Sequence, residues 1–547
     1  MIKRALHQLN HFFLIPITVG ILGGFSAVLF RRMIDWSKGL FFAISGGNPI
    51  HYPLLLPFIY LGSHWIAKKL LVSPENVTVD EIAKKISIER GGFNPKKGLL
   101  VLTLTSMNIG FGAPVGREGP IAKLGGVLSE LFVKAFKINR VNAPIYLTCG
   151  VSSAIAATFN APVAAVLFGI EIILGRINNY ILIPLVVSSG TATLIAREYI
   201  GNFPAFFVPH LVYTEKEVPF FPLLALFAAA VTVITTLFLK NLQRIRFALR
   251  HVWSRWVFVA GLTVGTILFF YPEAAGVGYH SITELFMERY SVAEAGEVAL
   301  AKLAAVLISF GSGIFGGFMA PSIFIGAFGG YFIGGSLGFD PRVFGLVGSA
   351  AVLAGISGAP FRSALVIIEL THSYQLIVPI LFTAALTNYL LNAVREIQFF
   401  KRSLFIKGID IEKLIERKVE VELPRHIVNV KPVYENTHVE HIRERFLKEK
   451  ERYLPVVNNP HENRLTGIVS IRDLRLAYLY DGHEVRVKDI MTPEPFAVTL
   501  QTPVEEILKT VALLEVNRVP VVDKGGTYIG MLDVDSLVKE LFLKTQQ

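Results

Sequence analysis

Apolar stretches recur through the first part of the chain, at roughly 12–30, 53–72, 98–113, 120–138, 143–170, 180–198, 219–239, 256–271, 298–314, 320–338, 343–358 and 361–393. A helix needs about 20 apolar residues to cross a hydrocarbon core about 30 Å thick, so the longer runs predict membrane spans and several others are too short. The short runs are rich in glycine and proline, as in Gly110-Phe-Gly-Ala-Pro-Val-Gly-Arg-Glu-Gly-Pro120 and Gly311-Ser-Gly-Ile-Phe-Gly-Gly-Phe-Met-Ala-Pro321. A broken helix facing lipid would strand backbone N–H groups, so such breaks are expected only where they line a protein-walled or aqueous site. After Lys407 the pattern changes to charged segments that alternate helix-like and strand-like periodicity. A multi-span helical membrane domain followed by a water-exposed α/β tail is the architecture this pattern predicts.

Composition sharpens that division. Of 547 residues, 52% are hydrophobic and 17% charged, against about 25% charged in an ordinary soluble protein. From Ile406 onward there are 21 Lys/Arg and 23 Asp/Glu, out of 53 and 42 in the whole chain, so the net charge of +11 belongs to the apolar part. Lys3, Arg4, Arg31, Arg32, Lys68, Lys69, Arg395, Lys401 and Arg402 sit at the ends of apolar runs, which assigns the excess to the flanks of spans and not to nucleic acid. Cys149 is the single cysteine, which excludes an intramolecular disulfide and a cysteine-based zinc site. The first run lacks a small-residue cleavage site, so no cleavable signal peptide is expected.

The apolar part repeats itself. Gly110, Gly116 and Pro120 recur as Gly311, Gly317 and Pro321 at an offset of 201, and Ala161-Pro162 with Glu171 recurs as Ala359-Pro360 with Glu369 at 198. Two copies of about 200 residues with matching Gly/Pro breaks point to a transporter whose site lies between the repeats. Pro120 and Pro321 suit the first turn of a helix, where a missing N–H is harmless. Bare amides and the positive dipole end then make each helix start an anion site. Glu118, just before Pro120, would compete with an anion for those donors when ionised and vacate them when protonated. The plain alternative is a loop glutamate in water or a structural partner of Arg117.

Gly116-Arg-Glu-Gly-Pro120, Gly317-Phe-Met-Ala-Pro321 and the intervening Phe159-Asn-Ala-Pro162 closely resemble the CLC family of chloride channels and proton-coupled anion exchangers, over about residues 10–410. The resemblance implies an all-α domain of two inverted-type repeats (about 10–200 and 215–405), in a homodimer with one pore per subunit. It implies Glu118 as the external gating glutamate and an anion pathway formed by Gly116, Arg117, Gly119, Pro120 and Gly317, with the amides of Phe318 and Met319 facing the ion. Three positions depart from the family pattern. Its first filter hydroxyl would fall near Val77-Thr78, where Thr78 is the adjacent hydroxyl; its second, a tyrosine, is Phe405; and the inner proton-relay glutamate is Ile172, which carries no proton. Ile172 favours passive conduction of chloride or a similar small anion. Proton-coupled exchange is the first rival, and a divalent-cation transporter with a regulatory tail is the rival of another class. The latter would need clustered carboxylates, which these segments lack.

The tail is itself a tandem: Leu454-Pro-Val-Val457 recurs as Val519-Pro-Val-Val522, and Gly467-Ile-Val as Gly530-Met-Leu. Modules of about 60 residues are too small for a large core and should pack as a pair. They resemble paired CBS domains, placed at 425–484 and 485–547 after a linker at 411–424. The resemblance implies a cytoplasmic tail and an adenine nucleotide (ATP, ADP or AMP) bound through Ser470 and Asp473, with Asp533 and Ser536 at the second, altered copy. No cofactor, metal or enzymatic activity is expected: the tail holds no nucleophile–base set.

Overall fold

The computed structural model describes residues 9–70, 79–86, 91–138, 142–174, 179–248, 253–393, 405–406, 409–410, 422–448, 453–470, 473–474, 485–514 and 518–544. The chain divides into two units, Met1–Arg402 and Ser403–Gln547.

The described part of the first unit is helical, and its helices fall into two series of eight. The first series is α1 (Ile15–Ser45), α2 (His51–Lys69), α3 (Val79–Lys84), α4 (Pro95–Gly110), α5 (Glu118–Ala135), α6 (Ala143–Phe159), α7 (Pro162–Phe168) and α8 (Asn179–Ile200). The second is α9 (Phe221–Ala248), α10 (Trp253–Phe270), α11 (Tyr279–Phe286), α12 (Val292–Ser312), α13 (Met319–Ser336), α14 (Pro341–Ser357), α15 (Pro360–Thr371) and α16 (Ile377–Ala393). The repeat inferred from the glycines is therefore structural: α5 and α13 both have 18 residues, and α6 and α14 both have 17. α6 ends on Asn160 and α14 on Gly358, both left-handed, which turns the chain back so that Pro162 and Pro360 can start the next helix.

Small residues set the packing. A Cβ on Gly125 of α5 would strike the carbonyl of Gly150 on α6, and one on Gly326 of α13 would strike that of Gly348 on α14. Each helix pair thus packs backbone to backbone, which is how helices associate where no water drives apolar contact. At about 1.5 Å per residue these four helices are about 26 Å long, and they are buried along most of their length. Among the described residues, five segments are long and apolar enough to cross a membrane: Asn10–Ser45, Asn179–Ile200, Val218–Leu239, Trp253–Phe270 and Tyr374–Asn392. The short central helices thus form the interior and the long ones the wall.

The described part of the second unit is the α/β tail the sequence predicts. Strands β5 (Tyr453–Val457) and β6 (Leu465–Ser470) pair antiparallel, with β4 (Val433–Tyr434) and β7 (Thr492–Pro493) at the edges. β8 (Arg518–Val522) and β9 (Tyr528–Asp533) repeat that hairpin, with β3 (Ile427–Val428) on the far side of β9. The register slips at Val456/Val457 and again at Val521/Val522, so even the bulge is duplicated. The modules pack as a pair: Leu465 N–H donates to Gly526 O, Tyr528 N–H to Asn463 O, and Tyr528 and Met531 enter the core of the first module.

Candidate anion site

Gly116 and Gly317 exchange two backbone hydrogen bonds, N–H to carbonyl in both directions, each 2.7 Å long. A residue that pairs reciprocally with its own repeat equivalent marks a local two-fold axis through the pair. The packing of α2 against α10, and of α7 against α15, follows the same relation. Two residues beyond the glycines α5 begins at Glu118 and α13 at Met319, so two helix starts meet at one junction.

Glu118 is 6% exposed. Its Oε1 accepts the Ala320 N–H at 2.9 Å, while Oε2 is buried without a hydrogen-bond partner. A carboxylate from the first repeat thus caps the helix of the second, reaching the second amide of α13 as capping oxygens do. The amides of Phe318 and Met319, expected to face the anion, immediately precede that donor. Room for the carboxylate exists because Gly116 and Gly317 lack side chains: a Cβ on either would collide with its oxygens. Gly119 and Pro120 complete the buried first turn of α5. Glu118 is neither a solvated loop residue nor an ion-pair partner of Arg117, whose guanidinium lies over the rings of Phe159 and Tyr279 at 5.3 and 5.5 Å.

Arg117 and Glu118 face different spaces. Arg117 lines a vestibule of about 900 Å³ with Arg31, Lys38 and Arg197, in which Asp35 and Glu273 are the acidic side chains. Glu118 lines a small cavity of about 20 Å³ with Met319 and Arg362, and Phe159 lines both. A basic vestibule focuses anions toward its floor. The Arg117–Glu118 peptide lies at the partition between the vestibule and the inner cavity.

Three further charged side chains support this geometry: Lys302 and Glu130, which were not read from the sequence, and Glu369, whose repeat relation to Glu171 was. Lys302 of α12 is fully buried and donates to the carbonyls of Ala274 and Gly276 at 2.7 Å each, with its ammonium 4.6 Å from the Phe324 ring centre. Gly276 N–H in turn donates to Gly112 O at 2.9 Å, so Lys302 braces the approach to Gly116. Glu130 of α5 accepts from Gly92 and Phe93 N–H and pairs with Lys134 at 2.6 Å. Glu369 of α15 accepts from Val163 and Ala164 N–H at 3.0 and 2.8 Å, capping α7 across the repeat boundary. A lone charge in an apolar run was the available signal for Lys302.

The remaining sequence-predicted positions are dispersed. Ile172 lies in a π-helical turn, Gly169–Leu174, and packs against the main core. Val77 and Thr78 lie outside the described residues. Phe405 forms the two-residue strand β1 (Phe405–Ile406) with β2 (Ile409–Asp410), and its side chain lies outside the described residues. In the tail, Asp473 Oδ2 accepts from both Ser470 N–H and Ser470 Oγ, at 2.8 and 2.7 Å. At the second copy Ser536 N–H donates to Asp533, and Ser536 Oγ is bonded to the buried His426. Among the described residues, no group of three His, Cys, Asp or Glu is placed to hold a metal ion.

The family model for voltage-gated chloride channels matches residues 59–392, and the CBS-domain model matches 420–480 and 487–543. The chain is 27% identical over 403 residues to a putative chloride channel protein ClcB-like of Ralstonia nicotianae, covering 68% of this chain and 91% of that one. It is 28% identical over 294 residues to the H(+)/Cl(−) exchange transporter ClcA of Vibrio vulnificus, covering 50% of this chain and 62% of that one. Among solved structures, a eukaryotic CLC transporter superposes with a TM-score of 0.65 at 18% identity, over 97% of this chain and 98% of that one. A slow cyanobacterial Cl−/H+ antiporter superposes with a TM-score of 0.61 at 21% identity, over 71% and 94%. With paired glycines, a carboxylate on a helix start and a family match over more than half its length, the chain belongs to the voltage-gated chloride channel, or CLC, family and carries two C-terminal CBS domains.

Proposed function

We propose that the protein moves chloride or a similar small anion across a membrane in exchange for protons, with Glu118 as the gate. The observation that carries this reading is the Glu118 carboxylate on the Ala320 amide: a negatively charged group already occupies the place an anion would take. Ionised, it fills the helix start; protonated, it loses the charge that holds it there, so one proton and one anion alternate at a single point. The relatives named as H(+)/Cl(−) exchangers support exchange over the passive conduction that Ile172 favours. An aliphatic residue at 172 removes one proton carrier without removing Glu118, the carrier the gate itself supplies.

The test is a proteoliposome flux measurement. An imposed chloride gradient should drive protons against their own gradient at a fixed ratio. Chloride flux with no accompanying proton movement would replace exchange by conduction while leaving the gate in place.

The same reading includes a homodimer with one pathway per subunit and a cytoplasmic CBS tail that takes an adenine nucleotide. Asp473, fixed by Ser470 at the end of β6, supports the nucleotide assignment because a carboxylate held at a strand end suits a ribose hydroxyl pair. Calorimetric titration with ATP, ADP and AMP should give binding that Asp473→Ala abolishes. Identical heats with and without the substitution would remove Asp473 from the site.

A further inference from the structure

Arg31, Asp35 and Lys38 form one stripe of α1, at spacings of four and three residues. Gly110, at the end of α4, lets that stripe approach the segment leading to Arg117: a Cβ there would strike Ser37 and the Lys38 amide. Arg117 is then near enough to act electrostatically on both Arg31 and Lys38, and Asp35 is the carboxylate that acts on both. Among the described residues, none of the three cations is held in an ion pair, and Arg117 Nε is buried without a hydrogen-bond partner. All three line the vestibule of about 900 Å³.

Cations gathered in this way repel one another, and their common field is available to a guest. The fourth vestibule cation, Arg197, is already engaged, its Nε donating to Asn160 Oδ1 at 2.7 Å. Against the four stand Asp35 and Glu273, which leaves the vestibule side chains at net +2 with His280 neutral. One chloride balances half of that charge and a dianion all of it. Two guanidinium forks and an ammonium also suit several oxygens better than one round ion. The vestibule has room for a tetrahedral oxyanion, whereas the cavity at Glu118, about 20 Å³, admits only a water-sized guest. Such a dianion can reach Arg117 and cannot pass it.

We propose that Arg31, Lys38 and Arg117 form a binding site for a tetrahedral dianion free in solution, such as sulfate or hydrogen phosphate, which obstructs the pathway at the vestibule. Chloride flux then falls as the dianion concentration on that side rises. The obstruction rests on the transport reading above; the binding does not.

Selenate, a tetrahedral dianion with an anomalous signal, is the probe for the site. In crystals of the full chain it should lie within hydrogen-bond reach of at least two of the three cations. Sulfate is the probe for the block. In proteoliposomes of zwitterionic lipid, with sulfate replacing gluconate on both faces at constant ionic strength, chloride flux should fall to a plateau. Arg31→Gln and Lys38→Gln should each raise the half-blocking concentration about tenfold, the loss of one charge-assisted contact. Residues that only steer anions would change the chloride flux and leave that concentration where it was, which would overturn the site. A vestibule empty of selenate would overturn it as well, and so would block seen only with phosphatidic acid in the bilayer, which would give the cations to a lipid headgroup. The transport reading survives each of these results. Selenate bound to a protein that moves no chloride would instead sink the transport reading and keep the site. Should a variant fail to fold, the selenate density of the unaltered chain decides.

Discussion

Glu118 and Met319 stand at equivalent points of the two repeats, each the first residue of an 18-residue helix and each lining the same inner cavity. Around them the frame is symmetric: Gly116 pairs with Gly317, and Gly125–Gly150 packs as Gly326–Gly348 does. The chemistry is not. One start presents a carboxylate and the other a thioether, so a single titratable group faces two helix dipoles. Two equal carboxylates would repel each other at the junction and exclude an anion from both sides. One carboxylate leaves the second start free to be capped in trans, and the same frame then has a filled and a vacated state.

The largest effect should follow from removing that one charge. Glu118→Gln keeps the shape and discards the titration, so chloride flux into proteoliposomes should become independent of pH. The wild-type flux should rise as pH falls, because protonation weakens the bond to Ala320. A steep acid activation that survives the substitution would mean that the gate is another residue. Gly317→Ala should act in the same direction, since its Cβ takes the carboxylate's space. Combined with Glu118→Gln it should add little to the flux, as expected of two changes to one contact.

A second asymmetry is structural. Lys302 of α12 aligns with Val101 of α4, a buried aliphatic in the first repeat. Lys302→Met would leave the Ala274 and Gly276 carbonyls without their charged donor, at a cost of about 3 kcal/mol. Thermal unfolding of the detergent-solubilised protein should show that loss, and a shift no larger than that of Val101→Ala would make the brace at 274–276 dispensable. Because Gly276 is bonded to Gly112, flux should fall as well in the protein that remains folded.

How much of this was legible beforehand depends on the kind of signal. The Gly and Pro positions at offsets of 201 and 198 were visible because backbone geometry admits few other residues there, and with them came the repeat, the paired helix starts and Glu118. The doubled hairpin of the tail was visible for a similar reason, in the Leu454-Pro-Val-Val457 and Val519-Pro-Val-Val522 strands. Lys302, Glu130 and Arg362 were not. A charge inside an apolar run has a position in the sequence but no direction. Whether it meets a carbonyl, an amide or a cavity is decided by helices far away in the chain. Glu369 shows the same limit: its repeat with Glu171 was legible, while the fact that one caps a helix and the other does not required the fold.

The finest test exchanges the two starts. By the local two-fold, a carboxylate at 319 would reach the amide of Gly119 as Glu118 reaches that of Ala320, since 119 and 320 are equivalent second positions of α5 and α13. The double variant Glu118→Met, Met319→Glu should therefore recover acid-activated flux of the same sign as the wild type, with a smaller amplitude. The amplitude should drop because the exchanged carboxylate would no longer sit on the Ala320 amide, to which Glu118 is bonded in the wild type. Flux that is flat with pH in the double variant, but pH-dependent in the wild type, would show that gating needs the first repeat's own surroundings: the basic vestibule behind Arg117 and the partition at Phe159. In that case the two-fold axis would govern the packing of the helices and not the placement of the gate.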